Sequence, residues 1–209
     1  MNKPKFVLVA GGNGTGKTSF IERNDNAFKD YVKILPDRIM EEMRFKDAFS
    51  LSQEVAARLE KAVLEKKNIV FEHNLHSGSI LDRLPHLKTK GYETQVLFLG
   101  VDKVQTQRDR VDNRVRKNQG HDVDSTTIRE RREKGFSTIK SNLRVADVTM
   151  IIDNSDKAPQ VNLHFKEGVL VEKKPTLAEW VKKEFNVALK LNEKLGIKPN
   201  DNNEIKIKI

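Results

Sequence analysis

Short runs of consecutive apolar residues punctuate this chain, and between them lie longer stretches in which apolar residues recur every three or four positions. Phe6 to Ala10 is the first run, and its length and content fit a strand buried on both faces. Tyr31–Leu35, Asn68–Phe71, Gln95–Leu99 and Val148–Ile152 repeat the pattern. Leu51, Val55, Leu59 and Val63 stand four apart, which predicts a helix over Leu51–Lys66. Ser79–Lys90 reads as mostly helical, with Pro85 as a kink and Gly91 as a stop. Val104–Asn118 and Thr126–Val145 predict two charged helices around Gln119-Gly120-His121-Asp122.

Strands alternating with helices as far as residue 155 predict an α/β fold, a parallel five-stranded sheet with helices on both faces. Beyond it, Val161–Phe165 and Val169–Glu172 flank Gly168 and suit a small hairpin. Pro175 then opens a helix whose apolar face is Leu177, Val181, Phe185, Ala188 and Leu189. The segment from Pro199 to Ile209 fits a frayed tail and a short edge strand equally well.

Composition narrows the class. The 209 residues are 37% hydrophobic and 33% charged, a folded composition. Without cysteine, disulfide frameworks, thiolate metal sites and cysteine nucleophiles are excluded. No stretch approaches the roughly 18 apolar residues of a membrane span. The brief apolar run near the N-terminus leads straight into a glycine-rich motif, so a cytoplasmic protein without a membrane partner is expected. The net charge is +9, carried by residues 102–145 and 157–209, while the rest sums to zero. A neutral body with an arginine-rich segment points to a local site for phosphate or an anionic substrate; a solvated helix face is the plainer alternative. No aromatic residue lies between Arg108 and Lys134 to make a stacking platform, which disfavours nucleic acid as the partner.

Gly11-Gly12-Asn13-Gly14-Thr15-Gly16-Lys17-Thr18, with Ser19 following, satisfies the G-x-x-x-x-G-K-T phosphate-loop pattern in full. Glycines let backbone N–H groups curl around phosphate oxygens, and the following helix adds its positive end. Lys17 is placed to reach the β- and γ-phosphates and Thr18 to put its hydroxyl on magnesium. The dinucleotide pattern of oxidoreductases has no call for Gly16-Lys17-Thr18, and the N-K-x-D motif of guanine switches is absent.

A kinase also needs an acceptor-side base and cations over the transferring phosphate. Asp37 follows the second strand, where residues past strand ends line the ligand crevice; it suits either a general base or a helix N-cap. Glu72, just past the third strand, suits an acceptor contact, a magnesium water or a plain surface position. His73, His76 and His121 lack the compact spacing of a zinc site; His73 and His76 read as acceptor-pocket polar groups or as surface residues. Arg110 and Arg114 share a helical face, and Arg129, Arg131 and Arg132 lie on the next helix. Such a helix–turn–helix can act as a lid over the donor phosphate.

These residues together resemble the zeta-toxin family of P-loop kinases. The likeness runs from the phosphate loop to Ser155 and is carried by Arg110-Val111-x-x-Arg114-Val115, Gly120-His121-Asp122-Val123, Ile128, Arg131, Asn142-Leu143 and Asp153-Asn154-Ser155. The resemblance implies ATP-dependent, magnesium-assisted phosphorylation of a sugar nucleotide, with the 3-hydroxyl of UDP-N-acetylglucosamine as acceptor and a cognate antitoxin protein as partner. It makes Lys17 and Thr18 the phosphate and magnesium residues and Asp37 the catalytic aspartate. Glu72, His73 and Asn74 fall on the family's acceptor motif, with His73 and Asn74 where threonines are expected. Arg114 and Arg131, with Arg110 close by, match the arginines at the transferring phosphate. The strand–helix alternation, with which the likeness ends, divides the chain into a kinase core, residues 1–155 with lid helices at about 104–145, and a C-terminal hairpin, helix and tail over 156–209 packed on the core. A nucleoside or polynucleotide 5′-hydroxyl kinase, and a nucleotide-dependent nucleic-acid-binding protein, are the competing readings.

Overall fold

The computed structural model describes residues 3–75, 78–117 and 122–207. Strands form at each apolar run: β1 (Lys5–Ala10), β2 (Tyr31–Ile34), β3 (Asn68–His73), β4 (Glu93–Gly100) and β5 (Val148–Asp153). They pair in parallel in the order β2-β3-β1-β4-β5. The helices α1 (Lys17–Arg23), α2 (Pro36–Met43), α3 (Ala48–Leu64), α4 (Leu84–Thr89), α5 (Val104–Arg116) and α6 (Ser125–Ser141) supply the crossovers. The central strand shows why the apolar runs are continuous rather than alternating. Phe6, Leu8 and Ala10 pack into one layer with Leu59, Leu84 and Phe136, while Val7 and Val9 face the other with Phe20, Ile21 and Phe28. Both faces are covered, and each fully buried large side chain contributes about 1.5–3 kcal/mol.

The sheet has eight strands, not the five expected. β6 (Gln160–Lys166) runs antiparallel to β5, β7 (Val169–Lys173) runs antiparallel to β6, and β8 (Asn200–Asp201) lies parallel to β7. The hairpin is therefore an extension of the sheet. Glu167 and Gly168, with φ of 48° and 80°, make a two-residue turn whose twist suits adjoining antiparallel strands. Leu163, Phe165 and Leu170 enter the same apolar layer as Phe6 and Leu8, which fixes the register. The last helix, α7 (Glu179–Lys194), covers that layer with Trp180, Val181 and Phe185, and it starts four residues later than the pattern at Pro175 predicts. The polar segment after Pro199 provides the edge strand β8, and Ile205 beyond it is buried against the opposite layer.

Helix boundaries follow local chemistry that apolar spacing does not register. α3 starts at Ala48 because the Asp47 side chain accepts a hydrogen bond of 2.7 Å from the Ser50 N–H. Pro85 falls in the first turn of α4, where a missing N–H costs nothing, so no kink forms; a 3₁₀ turn over Gly78–Arg83 precedes it. A helix does follow β2, as the capping alternative for Asp37 required, but α2 is opened by Pro36 with Leu35 as its N-cap residue.

Candidate active site

The phosphate loop fills the bend between β1 and α1, and its lysine folds back over it. Lys17 Nζ donates to the Gly12 carbonyl at 3.2 Å and lies 3.6 Å from a Glu72 oxygen. The side chain is 6% exposed. Burial pushes the ammonium below the ordinary lysine range, against the opposing pull of Glu72 and Asp37. Thr18 Oγ1 donates to the other Glu72 oxygen at 2.8 Å. Strand β3 lies beside β1 with Glu72 in register with Val9, which carries that carboxylate to the loop. A hydroxyl and a buried carboxylate converging here are the hard oxygen donors a magnesium ion takes, so the residues fit the metal expected with ATP.

Gly14 has no room for a side chain. Its φ is 74°, and a Cβ would stand 2.4 Å from the Gln107 carbonyl oxygen of α5. Gly14→Ala is expected to abolish ATP–magnesium binding in calorimetry while leaving a folded protein, because loop and helix backbone must separate to admit one methyl group.

Asp37 sits in the first turn of α2, directly past β2, and is not that helix's N-cap. Its carboxylate is 66% exposed and faces Arg114, whose Nη1 lies 3.6 Å away. Arg114 Nε is buried with no hydrogen-bond partner among the described residues. Arg110, one turn earlier on α5, is committed elsewhere. It donates to the carbonyls of Asn154 at 2.9 Å and Ser155 at 3.1 Å, and makes a long contact of 3.5 Å with Gly14. Arg131 on α6 donates to the Asn13 side chain at 3.1 Å. Arg132 serves structure: it donates to the carbonyls of Val101 and Asp102 and to Gln107 Oε1 at 2.9 Å. The paired helices α5 and α6 are thus fastened to the phosphate loop in this structure.

Lys17, Thr18, Asp37, Glu72 and three of these arginines border one cleft of about 1390 Å³, which Arg132 does not line. Asn13, Gly14, Gly16, Lys17, Thr18 and Ser19 line its donor side, and Asp37, Glu72, His73 and Asn74 line it with Arg110, Arg114 and Arg131. Gly11, Gly12 and Thr15 are buried members of the loop and do not line the cleft. Pockets for one small ligand run to about 1,000 Å³, so this cleft has space for two substrates side by side. His73 Nδ1 accepts from the Leu75 N–H at 3.0 Å, which orients the ring. His76 and His121 lie outside the described residues. Two further residues fix the loop. Gln107, fully buried, donates to the Asn13 carbonyl at 2.6 Å, and Asn154 donates to the Thr15 carbonyl at 2.7 Å. The Asp153-Asn154-Ser155 motif marks Asn154 in the sequence; nothing in the spacing marks Gln107.

Several solved structures share this architecture at low identity. A chain of the Pnkp1/Rnl/Hen1 RNA repair complex is 16% identical with a TM-score of 0.57, over 68% of this chain and 47% of its own length. A chain from the PezAT chromosomal toxin–antitoxin system of Streptococcus pneumoniae is 15% identical with a TM-score of 0.50, over 95% and 89%. The AvrRxo1-ORF1:-ORF2 complex with ATP gives 12% identity and a TM-score of 0.58, over 99% and 65%. This chain therefore spans less than half of the RNA repair protein and about two thirds of the AvrRxo1 one. No curated protein matches it. At these identities the likeness is one of fold, a shared α/β architecture. Sequence settles the family: the Zeta toxin family model matches residues 1–162, the span that holds the phosphate loop, Asp37, Glu72 and the arginines, and the chain belongs to the zeta toxin family.

Proposed function

We propose that this protein is an ATP-dependent kinase that transfers the γ-phosphate to a hydroxyl of a UDP-N-acetylamino sugar, the 3-hydroxyl of UDP-N-acetylglucosamine. One observation carries the reading: a carboxylate and an arginine from opposite walls, Asp37 and Arg114, meet at 3.6 Å within the cleft that contains the phosphate loop. The acceptor enters beside α2, where Asp37 takes the proton from its hydroxyl as the oxygen attacks the γ-phosphorus and ADP leaves. Lys17 holds the donor phosphates, and Arg114 and Arg131 neutralise the charge that spreads over the equatorial oxygens. Thr18 and Glu72 would hold magnesium, which screens the phosphate charge when bound with ATP. His73 and Asn74, on the same cleft wall, orient the acceptor.

Family membership adds a cognate antitoxin protein as partner to this reading, with the cytoplasm as its setting; no helix among the described residues is long and apolar enough to cross a membrane. The test is a transfer screen with ATP and magnesium against UDP-sugars, free sugars, nucleosides and 5′-hydroxyl oligonucleotides. Label on UDP-N-acetylglucosamine alone supports the reading. Label on a nucleoside or oligonucleotide end replaces it with a 5′-hydroxyl kinase. Oligonucleotide binding at moderate salt without any transfer replaces it with a nucleic-acid-binding protein.

Arg114→Ala and Arg131→Ala are each expected to lower turnover about a hundredfold while changing ATP affinity much less. Single-turnover transfer and calorimetric ATP binding on the same preparations separate the two effects. Unchanged turnover in both variants would remove these arginines from the transfer step and leave them only their contacts to Asp37 and Asn13.

A further inference from the structure

The zeta toxin family match ends at residue 162, yet α7 from the remaining segment reaches the nucleotide site by two routes. Both begin at Trp180, the sole tryptophan of the chain. Its indole is 4% exposed and packs flat against the end of β4, where a Cβ on Gly100 would stand 2.4 Å from a ring carbon.

The first route is a stack. Trp180 lies on Phe136 of α6 with ring centroids 5.4 Å apart and planes 24° from parallel. The Arg132 guanidinium stands 4.8 Å from the Phe136 centroid. A cation over an aromatic face is attracted by the ring's negative quadrupole, so the stack restrains the guanidinium's position. Arg132 then fixes the Gln107 amide by donating to its oxygen, which aims the Gln107 N–H at the Asn13 carbonyl of the phosphate loop. The second route runs through the indole nitrogen. Trp180 Nε1 donates to Asp153 Oδ1 at 2.7 Å, and that oxygen also accepts from Ser155 Oγ at 2.6 Å. This holds the turn in which Asn154 reaches the Thr15 carbonyl and the Asn154 and Ser155 carbonyls receive Arg110.

We infer that Trp180 is a positioning residue for the phosphate loop, through which the C-terminal helix holds the loop in the shape that receives ATP. The inference rests on the nucleotide-binding part of the proposed function. It acts at a distance: Trp180 does not line the cleft, and its ring stack and hydrogen bond are to Phe136 and Asp153, not to the loop. The two routes also separate chemically, because phenylalanine keeps a ring in the stack and removes the N–H, whereas leucine removes both.

The full-length protein is titrated with ATP–magnesium by calorimetry and by intrinsic fluorescence, with melting temperature recorded for every variant. In wild type, the lone indole should give a saturable fluorescence change with the midpoint that calorimetry gives. Trp180→Leu should weaken ATP binding about tenfold, and Trp180→Phe should recover part of that loss. The inference is overturned if folded Trp180→Leu binds ATP as wild type does, or if wild-type fluorescence stays flat while calorimetry shows saturation. Should Trp180→Leu not fold, Trp180→Phe and the wild-type titration decide in the same way. Absence of ATP binding by wild type in calorimetry is a different failure, and it overturns the nucleotide-binding reading itself.

Discussion

Asp37→Asn is expected to leave a folded protein that binds ATP–magnesium with near-native affinity but transfers phosphate at least about a hundredfold more slowly. The substitution keeps size and shape while removing the negative oxygen that accepts the hydroxyl proton. Stability should change little. Leu35, not Asp37, is the N-cap residue of α2, and the carboxylate is 66% exposed with one long ion pair to Arg114. Its remaining structural contribution is a charge in the first turn of a helix, worth about 0.3–1 kcal/mol. Melting temperature, calorimetric affinity and single-turnover transfer on one preparation distinguish a base from a helix-stabilising residue. If the wild-type protein arrests growth through this activity, equal expression of the variant should not. Near-native transfer by the folded variant would remove Asp37 as the base and leave Glu72 as the next carboxylate on the cleft.

Lys17→Ala should have the other large effect, weakening ATP binding and lowering transfer by about a hundredfold to a thousandfold. Its Nζ is buried between the Gly12 carbonyl and Glu72, so no neighbouring cation replaces it by a simple rotamer change. Removing it also leaves Glu72 beside the incoming phosphates without its ion-pair partner, and the resulting repulsion acts directly on affinity. Melting temperature should also fall, because Glu72, buried beside the lysine, is left as a carboxylate without its counter-charge. The same burial has a consequence for pH. A lysine held below its usual range loses its proton earlier as pH rises, so wild-type ATP affinity should weaken at a lower alkaline pH than an exposed lysine would give. Calorimetry across that range, with Lys17→Ala as the flat reference, tests the sign. Unchanged transfer by Lys17→Ala would sink the phosphate-loop assignment.

What the sequence disclosed and what it withheld divide along physical lines. The parallel strands were legible because residues such as Val7, Leu8 and Val9 are buried on both faces, which demands an unbroken apolar run wherever the strand sits. The phosphate loop was legible because its shape depends on local glycine geometry. α2 was legible only as the helix that an Asp37 cap would begin: at eight residues it is shorter than the window over which apolar spacing identifies a helix. The β6–β7 hairpin was legible from Gly168 and the flanking apolar residues, but its partner was not, since strand alternation names a face and never a neighbouring strand. The functions of Gln107 and Arg132 depend on three elements meeting, and their local sequence resembles any charged helix. Arg110 and Arg114 make the same point within one helix. Four-residue spacing put them on one face, and only packing showed that the first binds backbone carbonyls while the second meets Asp37.

The antiparallel pairing of β6 with β5 bears on how this protein can be shortened. Met150, Ile151 and Ile152 of β5 are fully or almost fully buried, and β6 takes up the hydrogen-bonding groups on that strand's outer side. A polypeptide cut at residue 162, where the family likeness stops, would keep the phosphate loop and Asp37 but lose most of β6, all of β7 and the covering helix α7. Its last complete strand would offer a row of unpaired N–H and C=O groups along an apolar edge, the template on which strands from separate molecules add to one another. Such a fragment should accumulate as insoluble aggregates on expression, and charged substitutions along that edge should do more for its solubility than changes near the cleft.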